Sequence, residues 1–301
     1  MINWPEDVVE DIARRRCVLY LGSGVSANSV NEKGETPATW GDFLNSVIEN
    51  KKGTLGEHYG TIKELIREKD FLLACEVLVQ KIGEIEFGEC AENAFRRPQF
   101  AYTDIHEVIY GLDSRIVITP NIDKIYEQCA LKNSKGSVVI KKYYDDIASY
   151  LRKPDYLVIK AHGCVDDTQK IVFTHEQYNK ARYQYASFYR LLDALLLTHT
   201  FIFIGCGIKD PDIQLTLENM NFSFPNCKPH YFITEEGSMK HEVIQSIYRN
   251  RNIKIITYEN KDGKHEELLK GLRELSICVD NKRKELAERA TSVSYTHLRA
   301  H

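Results

Sequence analysis

Seven short runs of apolar and β-branched residues recur along the chain, and they constrain its fold more than any other feature. Most of these runs are apolar at nearly every position instead of alternating with polar residues. That pattern is typical of strands buried on both faces of a parallel sheet. The predicted strands span residues 17–21, 115–119, 137–140, 156–160, 201–205, 230–234 and 253–257.

Helical segments separate several of these strands, and a further helix with Pro5 near its first position precedes the first strand. Alternation of strands with helices predicts an α/β fold built on a doubly wound, mostly parallel, Rossmann-like sheet. The predicted helices between the later strands span residues 122–132, 176–197, 211–220, 239–250 and 265–276.

The alternation is interrupted once, because about ninety residues without a convincing strand separate the first two predicted strands. We predict a helical insertion here, at about residues 42–104, that forms a cap beside the end of the first strand. Its helices are predicted at residues 40–50, 61–69, 71–81, 85–94 and 103–112.

Composition argues against several classes of protein. The 301 residues carry a net charge of −3, so no basic field indicates a nucleic-acid partner. No apolar run approaches the ~20 residues of a membrane helix, and the N-terminus lacks the apolar core of a signal peptide. The eight cysteines are scattered, with no C-x-x-C pair. We therefore expect a reduced cytoplasmic protein without structural zinc and without a membrane partner.

The first predicted strand ends in a glycine-rich loop, within the sequence CVLYLGSGVSANS. Gly22, Gly24 and Ala27 match the G-x-G-x-x-G/A pattern, in which glycines let the backbone turn sharply and approach a pyrophosphate. A dehydrogenase would show a second strand ending in Asp or Glu about 20 residues later, and this sequence has none there. The loop indicates either nucleotide binding in another manner or a simple strand-to-helix turn.

Polar residues also follow two later strands. In IVITPNIDKIYEQCA, Asn121 and Asp123 come after the strand that ends at Thr119, where open α/β sheets bind ligands. In YLVIKAHGCVDD, His162 and Gly163 follow another strand, and a histidine in this place could act as a general base. The alternatives are that Asn121 or Asp123 caps the next helix and that His162 is structural.

A fourth signal lies in TFIFIGCGIKDPDI, where a strand runs into Gly205, Cys206 and Gly207. The two glycines permit close approach of a ligand. Asp210 followed by Pro211 is also good helix-capping chemistry, so this segment has a structural explanation as well.

The order of these four signals resembles the sirtuin superfamily, the silent information regulator-like proteins, from about residue 16 to residue 257. The resemblance implies a sirtuin-type NAD-binding domain over residues 1–290. It implies that Asn121 and Asp123 lie near the scissile bond of NAD+ and that His162 is the catalytic base. The residues that it implies for binding NAD+ are Gly22, Ser23, Gly24, Ser26, Thr119, Gly163, Gly205, Cys206, Gly207 and Asp210.

The sequence also departs from the sirtuin deacylases. They carry a four-cysteine zinc module shortly after the His-Gly motif, whereas Cys164 stands alone in that region. Their Pro-Asp-Phe-Arg segment is replaced by TPATWGDF, and Pro120 stands where Gln is usual. The pattern is more similar to zinc-less sirtuin-like effectors of bacterial anti-phage defence, which hydrolyse NAD+.

This resemblance implies an NAD+ hydrolase that needs no zinc and that releases nicotinamide and ADP-ribose. Three alternatives stay open: an NAD-dependent protein deacylase or ADP-ribosyltransferase, a non-catalytic sensor of an NAD-derived nucleotide, and a plain α/β domain whose polar strand ends are caps.

The last nine residues, VSYTHLRAH at 293–301, resemble the conceptual translation of a transposase sequencing adapter. The alternative is a disordered tail. We therefore expect the natural chain to continue past about residue 292 into a regulatory or sensor domain, or to meet such a domain in trans. We also expect a homo-oligomer.

Overall fold

The computed structural model describes residues 2–208, 211–261 and 263–298. The strands in these residues are β1 (Cys17–Leu21), β2 (Ile116–Thr119), β3 (Val139–Lys142), β4 (Leu157–Lys160), β5 (Thr200–Ile204), β6 (His230–Glu235) and β7 (Ile253–Tyr258). They form one parallel sheet in the order β3-β4-β2-β1-β5-β6-β7. The predicted fold class, an α/β fold with a mostly parallel Rossmann-like sheet, is therefore confirmed.

Strand β3 is the one whose position differs most from the prediction, since it begins two residues later than expected. It lies at an edge of the sheet and pairs with β4, with Val139 opposite Leu157 and Lys142 opposite Lys160. All four β3 residues are half-buried. An edge strand tolerates lysines, so an apolar run is a poor guide to where such a strand lies.

The described helices agree with the predicted positions in most places. They are α1 (Glu6–Ala13), α2 (Ser23–Ser26), α3 (Trp40–Asn50), α4 (Lys52–Leu55), α5 (His58–Arg67), α6 (Phe71–Ile82), α7 (Glu84–Phe95), α8 (Asp104–Gly111), α9 (Ile125–Asn133), α10 (His175–Gln184), α11 (Ala186–Thr198), α12 (Pro211–Ser223), α13 (His241–Arg251) and α14 (Glu266–Leu298). None of the described helices is both long and apolar enough to cross a lipid bilayer.

Two helix predictions were wrong in their extent. The helix predicted over residues 176–197 is divided at Tyr185, whose ring packs 5.2 Å from that of Tyr143, a contact that local sequence does not reveal. The helix predicted to end at residue 276 continues to Leu298. Its later part is polar and carries ion pairs at helical spacing, such as Lys282 with Glu285 at 3.1 Å, so apolar periodicity does not mark it.

The chain forms two compact units. One comprises the described parts of residues 1–20, 104–116 and 194–301, and the other comprises residues 21–103 and 117–193. In the first unit, α14 packs on the N-terminal segment, where the Trp4 indole donates to the Gly271 carbonyl at 2.9 Å.

The second unit contains helices α2–α7, α9 and α10 and has its own apolar core. The rings of Phe43, Phe87 and Phe173 meet at its centre, with Phe87 5.6 Å from Phe43 and 5.1 Å from Phe173. Burial of a phenylalanine side chain stabilises the folded state by roughly 1.5–3 kcal/mol. This core anchors the helical insertion to the segment that follows β4.

Candidate functional site

The loop after β1 turns directly into the short helix α2. Gly22 has φ −92° and ψ −176°, which is extended backbone that any residue can adopt. The backbone conformation therefore does not explain why glycine occupies this position. Ser23 and Gly24 are exposed, whereas Gly22 and Ser26 are buried. Ser23 and Gly24 are therefore the residues of this loop that a ligand can reach.

The loop after β2 is hydrogen-bonded to the loop after β1. The Thr119 hydroxyl donates to the Leu21 carbonyl at 2.7 Å and accepts from the Asn121 amide at 3.1 Å. The Asn121 side-chain amide donates to the Gly22 carbonyl at 2.9 Å and to the Ser26 hydroxyl at 3.0 Å. Both hydrogens of this amide are used, so its oxygen is the atom with which Asn121 can meet a ligand.

Asp123 uses both oxygens of its carboxylate within the protein. Oδ1 accepts from the Ile125 amide at the start of α9, at 2.9 Å, and Oδ2 accepts from the Ser26 hydroxyl at 2.8 Å. Asp123 thus closes an Asx turn just before α9, whose N-cap residue is Lys124. A direct contact between Asp123 and a ligand stays a prediction.

His162 lies beside the loop of Asn121 because the ends of β2 and β4 are joined by backbone hydrogen bonds. The Ala161 amide donates to the Thr119 carbonyl at 2.8 Å, and the Val165 amide donates to the Ile122 carbonyl at 3.0 Å. The His162 side chain is only 6% exposed. The structure therefore brings His162 and the Thr119–Asn121 segment to the same end of the sheet.

Tyr178 is the aromatic neighbour of His162. Its hydroxyl lies 3.1 Å from His162 Nε2, and the two rings meet edge to face at 5.1 Å. Tyr178 is placed by α10, which begins with a capping box in which Thr174 and Gln177 exchange hydrogen bonds. The same hydroxyl lies 3.5 Å from His162 Nδ1, so both ring nitrogens are near it.

Gly163 is required by local packing. Its φ of +85° lies in the left-handed region, and an added Cβ would be 2.5 Å from the Lys170 carbonyl oxygen. The Val172 amide donates to the His162 carbonyl at 3.1 Å, which holds the same two segments together. The glycine of the His-Gly motif thus has a structural reason, and its contact with NAD+ stays a prediction.

Three predicted ligand residues belong to the other compact unit, where they follow β5. Gly205 has φ +65°, and the Cys206 thiol lies 3.4 Å from the Tyr20 carbonyl oxygen, to which it donates. Gly207 is exposed. Asp210, the remaining predicted residue, lies outside the described residues.

Comparison with known proteins identifies the family. The family model described as SIR2-like domain matches residues 115–256. The chain contains a SIR2-like domain. The matched region includes β2, the Asn121 loop, β4 and His162, so the predicted resemblance to the sirtuin superfamily is confirmed.

Two curated proteins are similar to the chain in sequence. The chain is 31% identical over 235 residues to the NAD(+) hydrolase ThsA of Enterococcus faecium. The aligned region covers 74% of this chain and 44% of that relative. It is 24% identical over 257 residues to Defense-associated sirtuin 2 of Bacillus subtilis. That aligned region covers 83% of this chain and 24% of that relative. The chain spans less than half the length of these curated relatives.

A solved structure of a Sir2 enzyme resembles the chain with a TM-score of 0.43 at 14% identity, over 94% of this chain and 97% of that one. This likeness is too weak to add to the assignment, which comes from the family match.

Three residues in contact with the predicted catalytic segments were not singled out from the sequence: Tyr178, Lys160 and Glu127. Lys160 and Glu127 are buried, and the Lys160 ammonium lies 2.6 Å from Glu127 Oε1. One signal was present, because Lys160 is a single charge at the end of the fully buried strand LVIK. Tyr178 gave no signal, since an aromatic residue in a helix is ordinarily part of the core.

The described residues contain no group of three or more His, Cys, Asp or Glu side chains that could hold a metal ion. The cysteines are free thiols. Cys164, which follows the His-Gly motif, is buried, and burial raises the pKa of its thiol.

Proposed function

We propose that this SIR2-like domain hydrolyses NAD+ at the bond between nicotinamide and C1′ of ribose, and that it releases nicotinamide and ADP-ribose. The observation that carries the proposal is the hydrogen-bonded junction of the Gly22 loop with Asn121, beside His162. The similarity to proteins named NAD(+) hydrolase supports it.

The proposed hydrolysis needs few catalytic groups from the protein. When the C1′–N bond breaks, its electron pair stays on nicotinamide, which leaves as a neutral molecule and needs no strong acid. The ribose then has oxocarbenium character, and a water molecule attacks C1′, as in glycoside hydrolysis. The proton of that water must go to a base, and we assign this step to His162. General-base assistance is typically worth about 10²–10⁴-fold in rate.

Asn121 has the geometry to orient a reacting group. With its amide hydrogens held by Gly22 and Ser26, its oxygen accepts a hydrogen bond from a ribose hydroxyl or from the attacking water. Ser23 and Gly24, which are exposed, are proposed to meet the pyrophosphate. Asp123 is proposed to hold the Ser26 hydroxyl and the start of α9 in place.

The remaining predicted contacts belong to the same proposal. Gly205, Cys206, Gly207 and Asp210 are proposed to lie along the adenosine part of NAD+. We further propose that the protein acts in the cytoplasm as an anti-phage effector, as a homo-oligomer and with a regulatory domain. The similarity to Defense-associated sirtuin 2 supports the role in defence.

Product analysis tests this function. Purified protein is incubated with NAD+ in H₂¹⁸O, and nicotinamide and ADP-ribose are measured by chromatography and mass spectrometry. Equal amounts of both products, with one ¹⁸O at C1′ of ADP-ribose, are expected. Transfer of ADP-ribose to protein would indicate a transferase, and tight NAD+ binding without nicotinamide release would indicate a sensor.

A further inference from the structure

A buried ion pair lies next to the loop that carries Asn121. Lys160, the last residue of β4, is fully buried, and its ammonium lies 2.6 Å from Oε1 of Glu127 on α9. The same ammonium donates to the backbone carbonyl of Asp123. One side chain therefore ties together the end of β4, the loop after β2 and the first turn of α9.

Stability alone does not explain a charged pair at this position. Taking two charges out of water is unfavourable, and replacing a buried pair with apolar residues of similar volume is often neutral or stabilising. The preceding residues of β4, Leu157, Val158 and Ile159, are all apolar and buried. An apolar residue at position 160 would continue their pattern.

The ammonium is held in its charged form by its surroundings. Burial alone would lower the pKa of Lys160, but the carboxylates of Glu127 and Asp123 outweigh this effect and raise it. At neutral pH Lys160 therefore keeps its positive charge and donates to both partners.

The position of Lys160 relates it to both proposed catalytic side chains. It lies two residues before His162 in the chain, and its carbonyl partner Asp123 lies two residues after Asn121. The hydrogen bond from Ala161 to Thr119 lies between these two segments. Lys160 thus holds the Asp123 end of the loop, and Asn121 lies two residues earlier in that loop.

We propose that Lys160, paired with Glu127, is a positioning residue that holds the Asn121–Asp123 loop in register with His162 for NAD+ cleavage. This inference rests on the proposed function. Lys160 is fully buried and does not touch NAD+; it acts through the Asp123 carbonyl.

The test replaces both charges at once, by Lys160→Met combined with Glu127→Leu. Because no unpaired charge remains, the double variant is expected to fold, with a melting temperature within a few degrees of the parent. KM for NAD+ should change less than about threefold, whereas kcat should fall about 100-fold, the scale of a 1 Å misplacement. A folded double variant with the parental kcat would overturn the proposal.

Hydrogen exchange supplies a readout that does not depend on activity. The Ile125 amide donates to Asp123 Oδ1, and the Val165 amide donates to the Ile122 carbonyl. Both amides should exchange faster in the double variant. Unchanged exchange at both would overturn the inference even if the parent did not cleave NAD+, so its failure is distinguishable from failure of the proposed function.

A matched control removes the Lys51–Glu86 ion pair of the helical insertion by Lys51→Met and Glu86→Leu. It should keep the parental kcat and the parental exchange of Ile125; a loss equal to that of the double variant would overturn the proposal. If the double variant does not fold, Lys160→Gln combined with Glu127→Gln replaces it, since two glutamines leave no buried charge and keep a donor and an acceptor at these positions. It should lower kcat about three- to tenfold and speed exchange of Ile125, and parental values of both would overturn the proposal.

Discussion

The Ser26 hydroxyl donates a hydrogen bond of 2.8 Å to Oδ2 of Asp123, across 97 residues of sequence. Both side chains are buried. The same hydroxyl accepts from the Asn121 side chain at 3.0 Å. Ser26 therefore connects the glycine loop to the loop after β2, and the two strand-end motifs form one preorganised structure.

Replacement of this hydroxyl should destabilise the protein. Ser26→Ala leaves Asp123 Oδ2 and one hydrogen of Asn121 without this partner, a loss of about 1–3 kcal/mol in the free energy of unfolding. The melting temperature should fall by roughly 2–4 °C for each kcal/mol, and kcat should fall as well. The measurement is thermal unfolding together with NAD+ kinetics. Ser23→Ala, at an exposed position of the same loop, should leave the melting temperature unchanged, and an equal drop there would contradict this account.

Gly163→Ala should disturb the segment that carries His162. The new Cβ would be 2.5 Å from the Lys170 carbonyl oxygen, and φ of +85° is strained for alanine by about 1–3 kcal/mol. Both the melting temperature and kcat should fall. Gly60→Ala is the control, because its added Cβ would have no atom within 4 Å apart from its chain neighbours and the backbone of its own helix. Gly60 sits inside α5, where alanine should be neutral or stabilise. A Gly163→Ala variant with the melting temperature of the parent would contradict this prediction, because the loop would then have moved to accept the new Cβ.

The sequence predicted the sheet and the strand ends well because buried parallel strands leave a strong apolar signal. The chain still has to turn at each strand end, and the polar residues there stand out, as with Asn121 and His162. The partners of these residues were not predictable, because Ser26 and Asp123 meet only through the fold. Lys160 shows the same limit, since one lysine in an apolar strand indicates a buried charge but not its partner.

Tyr178→Phe should lower kcat while the ring contact with His162 is kept. The hydroxyl lies 3.1 Å from His162 Nε2, and its removal takes away a group that orients the imidazole. We expect kcat to fall about tenfold, within the range attributed to general-base assistance, and the pH profile of kcat to change shape. Tyr183→Phe, on the same helix at a position 88% exposed, should have no effect on either. Equal kinetics for the two variants would argue against a role for the Tyr178 hydroxyl.

His230 should make the protein sensitive to mild acid. Its Nδ1 accepts a hydrogen bond from the Phe201 amide at 3.1 Å, and burial lowers the pKa of His230 to about 4. The unfolded chain binds a proton from about pH 6.5 downward, whereas the folded chain resists protonation until about pH 4. The contribution of His230 to the free energy of unfolding is therefore fully present above pH 6.5. It is lost as the pH falls towards 4, and the loss is about 2 kcal/mol at pH 5.

Denaturant unfolding at pH 7.5 and pH 5.0 measures this loss. In His230→Asn the difference between the two pH values should shrink by about 2 kcal/mol relative to the parent. His241→Asn, at an exposed position, should behave as the parent does. The same pH difference in parent and His230→Asn would contradict the assignment.

The measurement that tests the central claim most directly is nicotinamide release. It compares two variants, His162→Asn and Asn121→Ala, with the parent. Asparagine is preferred to alanine at position 162 because the side chain is 6% exposed and alanine would leave a cavity. Both variants should bind NAD+, measured by calorimetry, and should release nicotinamide at least about 100-fold more slowly than the parent. A folded His162→Asn protein that releases nicotinamide at the parental rate would contradict the account.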